Sequence, residues 1–334
     1  MSNKKCVREK YLYLSAMLRA REAKMLTREK AERMIEAPSF ADAAAMLCDC
    51  GYTDMSDMSA KELEKALAEH RAEIFSELAR MSPDKELVDV FRMKYDYHNA
   101  KTIIKAEAGE LDRADLLSSS GRVDPEVLIK AFTEDNFRNI PDVMGKASAE
   151  AKSTLARTSN PQLADFTLDR AYFEELLSSA KALGSSFIKG YAQILIDSAN
   201  LRSAVRTLRM KKGGDFLRTA LIPGGGTDVN RVMTAATDGD SLASLYTNTL
   251  LEEASRLGAA AASGGRMTDF ELACDNAVTA YLGKAKLVAF GEAPVIAYIA
   301  AVENEITAVR MILTGFLAGI RPETIKERLR DFYA

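Results

Sequence analysis

Three acid–base pairs recur along this chain, each with a small or amide residue between acid and base. They are Asp96, Asn99 and Lys101; Asp197, Asn200 and Arg202; and Glu305, Ala308 and Arg310. The acids, at positions 96, 197 and 305, stand 101 and 108 residues apart. A carboxylate and a base at this spacing could form ion pairs or present charge to a partner. Within each copy they lie five residues apart, beyond the helical neighbour spacing, so a pair need not face itself. Two readings follow. In one, each copy ion-pairs with a neighbouring unit and fixes how helices dock. In the other, three copies line a shared axis and meet a partner. The docking reading is the stronger, because an exposed ion pair adds little and a docking pair adds register.

Other chemistry is sparse. His70 lies on an apolar stripe and reads as a core imidazole. His98 lies inside the first motif, but the second copy carries Ser198 and Ala199 nearby, so no shared histidine chemistry follows. Pro223-Gly224-Gly225-Gly226-Thr227 is glycine-rich yet lacks the Gly-Lys-Ser/Thr ending that holds phosphates, and no strand precedes it. It reads as a flexible loop between units, and direct nucleotide binding is not expected. Cys6, Cys48, Cys50 and Cys274 give no disulfide framework, and Cys48-Asp49-Cys50 has the wrong spacing for zinc. Reduced, partly buried thiols are expected, with no metal and no cofactor. Glu174-Glu175 and Glu252-Glu253 read as solvated helix faces.

The elements that position these residues are helices. Leu63, Leu67, His70, Ile74 and Leu78 form one stripe, opened by a Ser59/Glu62 capping box and closed at Ser82-Pro83. Phe173 through Leu195 continues one apolar face for several turns. Thr268-Asp269-Phe270-Glu271 reads as a second capping box. Ile306, Val309, Leu313 and Phe316 make the last long stripe, broken at Gly319 and Pro322 before a short helix through Ile325, Leu329 and Phe332. No segment reads as a strand, so the fold class is all-α. With 45 basic and 48 acidic residues among 334, the chain lacks the basic face of a nucleic-acid binder. Its apolar runs fall short of a bilayer span, and its first residues lack the apolar core of a signal peptide. A cytoplasmic protein with at most peripheral membrane contact is expected.

Breaks at Ser118-Ser119-Ser120-Gly121 and Pro223-Gly224-Gly225-Gly226 suggest three helical units, 1–117, 118–223 and 224–334. A third break, Ser263-Gly264-Gly265, reads as a loop within a unit. The segments around Arg19–Ile35 and Arg310–Leu329 read alike, so the chain ends are expected to complete one unit between them.

Four segments carry a family resemblance. YLYLSAMLRAREAKMLTREKAERMIEAPSFADAAAMLCDCGY (11–52), FRMKYDYHNAKTIIKA (91–106), Tyr172–Arg209 with FLRTALIPGG (216–225), and ENEITAVRMILTGFLAGIRPETIKERL (303–329) resemble the C subunit of V-type (A/V-type) ATP synthases. This family includes the d subunit of the eukaryotic vacuolar ATPase. The third motif departs from the family pattern, with Ala308 where an Asn is usual, and Gly258–Gly265 is looser than the pattern. The resemblance implies a funnel of three similar units in pseudo-threefold arrangement, with no catalysis of its own. It implies one copy per complex, on the cytoplasmic face of the membrane. It also implies a socket linking the central shaft subunits to the membrane ring of proteolipid subunits, passing torque for ATP-coupled proton or sodium transport. A helical-repeat adaptor holding another protein in its concavity is the alternative, and an α-helical enzyme has no site to support it.

Overall fold

The computed structural model describes residues 8–109, 116–237 and 239–334, so Cys6 lies outside the described residues. Sixteen α-helices and several short 3-10 turns account for the described secondary structure, and no strand occurs among these residues. In chain order the helices are α1 (Leu12–Glu22), α2 (Arg28–Ile35), α3 (Phe40–Ala45), α4 (Ala60–Met81), α5 (Glu86–Gly109) and α6 (Pro125–Thr133). Then follow α7 (Asp142–Thr158), α8 (Pro161–Leu183), α9 (Ser186–Arg209), α10 (Gly214–Ala220) and α11 (Val229–Ala235). The chain closes with α12 (Gly239–Ser244), α13 (Glu252–Ala262), α14 (Met267–Gly283), α15 (Glu292–Leu317) and α16 (Pro322–Lys326). No helix among them is long and apolar enough to cross a membrane.

The chain divides into two compact units. A central unit runs from 89 to 245, and a terminal unit combines 8–88 with 246–334. In the central unit α7, α8 and α9 pack in succession, and α9 also carries α10 and α11. In the terminal unit α15 is the axis, packed by α1, α2, α3 and α4 from one end of the chain and by α14 and α16 from the other. Its stretch from Ala293 to Val302 is entirely buried, which is where the longest apolar run of the sequence goes. The sequence-derived seams at 117/118 and 223/224 both fall inside the central unit.

Local signals explain most boundaries. Ser59 and Glu62 form the expected capping box, with each side chain bonded to the other's backbone N–H. The α4 stripe buries Leu63, Leu67 and Leu78, but Phe75 rather than Ile74 fills the next turn. Arg71 is also buried on that face and pairs with Glu303 of α15 at 3.6 Å. The long face from Phe173 to Leu195 is two helices. Gly184 caps α8 in the left-handed conformation, at φ 65°, and the Ser185 side chain accepts the Ile188 N–H to start α9. Thr268 does not cap a helix. Backbone at Arg266 is extended and α14 starts at Met267, so Thr268 already lies in the first turn, where Asp269 pairs with Arg266. The glycine- and alanine-rich stretch keeps its helix through Ala262 and turns only at Ser263–Gly265. The final helix stops at Lys326, although Leu329 beyond it is still buried.

Because the Ser59 cap satisfies an otherwise open N–H, Ser59→Ala is expected to lower unfolding free energy by about 1 kcal/mol. Urea denaturation followed by circular dichroism checks this.

Candidate functional site: three buried acids that hold loops

Each motif acid sits in the middle of a long helix, Asp96 in α5, Asp197 in α9 and Glu305 in α15. All three are buried, with 0%, 8% and 5% of their surface exposed. A mid-helix carboxylate finds no free N–H on its own helix, so its hydrogen bonds must come from another segment. They come from loops.

Asp96 Oδ1 accepts the backbone N–H groups of Arg122 (2.8 Å) and Val123 (3.1 Å). Asp197 accepts those of Gly226 (3.0 Å) and Thr227 (3.1 Å). Glu305 Oε2 accepts the N–H of Leu26 (2.6 Å), and its Oε1 accepts the Tyr52 hydroxyl (2.9 Å). In every copy the last residue held immediately precedes a helix N-cap. Val123 precedes Asp124, which caps α6; Thr227 precedes Asp228, which caps α11; Leu26 precedes Thr27, which caps α2. The acids therefore fix where the next helix begins.

The motif amides clamp the same loops a few residues earlier. Asn99 donates to the Ser118 carbonyl and accepts the Ser118 N–H, both at 2.8 Å. Asn200 does the same with Ile222, again at 2.8 Å on each side. The third copy needs no amide. Five residues before Leu26, where Ser118 and Ile222 stand relative to Val123 and Thr227, is Arg21 in the last turn of α1. Its carbonyl already accepts the Lys24 N–H at 2.9 Å. Ala308 can thus replace the amide without stranding a buried backbone group.

Close approach of loop to acid dictates glycine. A Cβ on Gly121 would lie 2.3 Å from Asp96 Oδ1, and one on Gly225 would lie 2.3 Å from Asp197 Oδ1. In the third copy the residue at the matching place, two before Leu26, is Lys24. Glutamate is one methylene longer than aspartate, so Glu305 can reach a loop that stands further from its helix. The glycine-rich loop expected to be flexible between units is instead held at Ile222, Gly226 and Thr227.

The motif bases act elsewhere. Lys101 pairs with Asp169 of α8, and Arg310 pairs with Glu64 of α4 at 2.8 Å. Arg202 donates to Ser198 Oγ, one turn back, at 2.6 Å. Acid and base of a motif thus have different tasks: acids hold backbone, whereas Lys101 and Arg310 reach a neighbouring helix.

The first copy has an extra layer. Arg122 bonds Asp96 Oδ2 through Nε (2.6 Å) and Glu175 of α8 through Nη1 (2.6 Å), while the Tyr97 hydroxyl donates to Glu175 (2.8 Å). Glu175 is therefore no solvated-face residue, unlike its exposed neighbour Glu174. Burial pushes the Tyr97 phenol far above its ordinary range, keeping it a donor at any ordinary pH. At the place of Arg122 the second copy has Gly226.

His70 is half-buried against Tyr52, with ring centroids 4.1 Å apart, and burial lowers its pKa. His98 is exposed, its Nε2 3.3 Å from the Leu116 carbonyl oxygen. Cys48 is exposed, Cys50 intermediate and Cys274 buried, all three as free thiols. No group of three metal-ligating side chains exists among the described residues.

Burial pushes the Asp197 and Glu305 carboxyls above their ordinary values, against the opposing pull of the loop N–H groups. The native state then binds these protons more tightly than the unfolded chain. Their contribution to stability is complete below the unfolded values, about 4, and declines as pH rises through the native ones. We expect Asp197→Asn and Glu305→Gln to flatten this decline, measured as Tm against pH. Separately, Gly121→Ala and Gly225→Ala should each cost about 1–3 kcal/mol through forced displacement of the clamp. Gly283→Ala, which meets nothing within 4 Å inside a helix, should be neutral or slightly stabilising. Chemical denaturation of the three variants side by side checks the contrast.

Comparison with known proteins bears on what this scaffold belongs to. The family model described as ATP synthase (C/AC39) subunit matches residues 14–328. The C subunit of the V-type sodium ATPase of Enterococcus hirae is 23% identical over 97% of this chain and 99% of its own length. The C subunit of the A-type ATP synthase of Methanocaldococcus jannaschii is 26% identical over 96% of this chain and 86% of its own. The C subunit of the V-type ATP synthase of Thermus thermophilus is 23% identical over 67% and 70%.

Proposed function

Because the chain belongs to the ATP synthase (C/AC39) subunit family, we propose that it is the rotor socket of a V/A-type rotary ATPase. Family membership makes it a non-catalytic subunit of that complex. Beyond that coarse statement, the proposal places it between the central shaft subunits and the membrane ring of proteolipid subunits. One copy per complex would seat the foot of the shaft and pass torque between ATP turnover and ion movement. It would sit as a peripheral subunit on the cytoplasmic face of the membrane. In this reading the body comprises three similar helical units, 1–117, 118–223 and 224–334, arranged as a funnel with the chain ends completing one of them.

The observation that supports this best is the recurrence of one loop-holding device in three long helices. A torque-bearing body must resist shear, and its weakest places are the loops where one helical segment passes to the next. Those are the places where Asp96 with Asn99, Asp197 with Asn200, and Glu305 hold backbone by buried, charge-assisted hydrogen bonds. Close-packed helices joined by clamped loops transmit strain, whereas solvated loops absorb it. Lys101 and Arg310 add side-to-side ties between helices.

Purification of the native complex tests the assignment. The chain is expected at one copy per assembly, together with shaft subunits and the proteolipid ring. Stripping it should leave ATP hydrolysis by the head intact while ion pumping is lost, and adding it back should restore coupling. Ion pumping that persists without the chain would overturn the rotor-socket reading.

A further inference from the structure

The terminal unit carries an apolar, lysine-edged surface. Leu287 is 91% exposed, Tyr13 74% and Leu12 51%. Two ties bring their elements together. The Ser15 hydroxyl and the Gly291 backbone bond each other, with Gly291 N–H donating at 3.3 Å. Arg19 Nη2 donates to the carbonyls of Ala285 (2.6 Å) and Val288 (3.0 Å). One edge of α1 therefore lies along the segment 285–291. By helical spacing, Leu12 and Ala16 stand on the adjoining edge and Ala20 and Tyr13 further round, and all four are exposed. Leu287 projects from the 3-10 turn Lys284–Leu287 beside them.

Cations surround this surface. Lys284 and Lys286 are exposed in the same turn as Leu287, their ammonium groups 5.0 and 4.9 Å over the rings of Tyr281 and Tyr333. Arg8 and Lys10 are exposed just before α1, with Glu9 between them, and the Arg8 stem lies against Gly291. Of the nearby acids, Glu22 pairs with Arg19 and Glu292 is buried.

We propose that this surface, Leu12, Tyr13 and Leu287 edged by Arg8, Lys10, Lys284 and Lys286, docks on the headgroup region of an anionic lipid bilayer. The exposure favours lipid over a folded acidic partner. Leu287, almost wholly exposed, stands out from its turn, and a fluid interface takes up such a side chain without a preformed pocket. Apolar and aromatic side chains entering the interface while neighbouring lysines meet lipid phosphates is the physical signature of interfacial binding. The lysine stems can lie along apolar surface with the charge held outward.

Flotation of the purified full-length chain with extruded vesicles tests this without any other subunit. Binding is expected to vesicles of phosphatidylcholine mixed with phosphatidylglycerol, weakly or not at all to phosphatidylcholine alone, and to fall as salt is raised. Lys284→Gln with Lys286→Gln should reduce partitioning about thirtyfold, taking the usual contribution of a lysine near an anionic surface. Leu287→Asp should reduce it as well, with an unchanged thermal melt showing that the fold is intact. No flotation with the anionic vesicles at low salt, or flotation indifferent to these substitutions, would overturn the proposal. Self-association of the wild type that Leu287→Asp abolishes, without vesicle binding, would reassign the surface to a second copy of this chain. None of these outcomes touches the socket reading, since no ring or shaft is present in the assay.

Discussion

A carboxylate in the middle of a buried helix is the constraint around which this chain is organised. The helix backbone there is fully paired with itself, so the acid must be satisfied from elsewhere or be stranded. A loop about to enter a helix has the opposite difficulty, since its N–H groups have no intrahelical acceptor. Asp96, Asp197 and Glu305 join these two needs. The consequence spreads outward: the loop must pass close to the acid, the next N-cap is fixed at the following residue, and the capped helix starts in a set direction. Buried charge is costly, and burial accordingly pushes the Asp197 and Glu305 carboxyls upward. Removing either carboxylate would expose that cost from the other side, as unpaired loop N–H groups.

The three copies solve one geometry in different ways, and the differences are physically consistent. Short acids are matched with glycine in the loop; the longer Glu305 tolerates Lys24. Amides clamp where the loop backbone is otherwise unpaired, and Ala308 suffices where a helical turn has already paired it. Arg122 extends the first clamp to α8 through Glu175, whereas Gly226 keeps the second clamp to backbone alone. A shared construction with local substitutions of this kind fits the non-catalytic subunit to which the family points.

The sequence showed its helices because burial and capping write themselves in side chains. The motif was also visible, and so were the loops at 118–121 and 223–226. What could not be read was that each motif holds its loop. The partners of Asp96 and Asp197 are backbone N–H groups some 26 to 30 residues downstream, and a backbone group has no letter of its own. One signal was present: Gly121-Arg122-Val123-Asp124 and Gly225-Gly226-Thr227-Asp228 share a glycine three residues before an aspartate N-cap. The turn at Gly184 was missed because the apolar face continues through it. The pairings of Arg71 and Glu175 could not be read because ionic partners on other helices leave no periodic trace. The projecting tip of Leu287 and Tyr13 required exposure, which sequence pattern alone does not report.

Leu26 and Glu305 are 279 residues apart in the chain. A ribosome adding about 5–20 residues per second needs roughly 15–60 s to make the second after the first. Through that interval α2, α3 and α4 exist without the helix they pack on, their apolar faces open to solvent or to a chaperone. The central unit, whose clamps all close over short separations, can fold in the meantime. The terminal unit thus forms after the central one and, of the two, is the more exposed to aggregation during biogenesis.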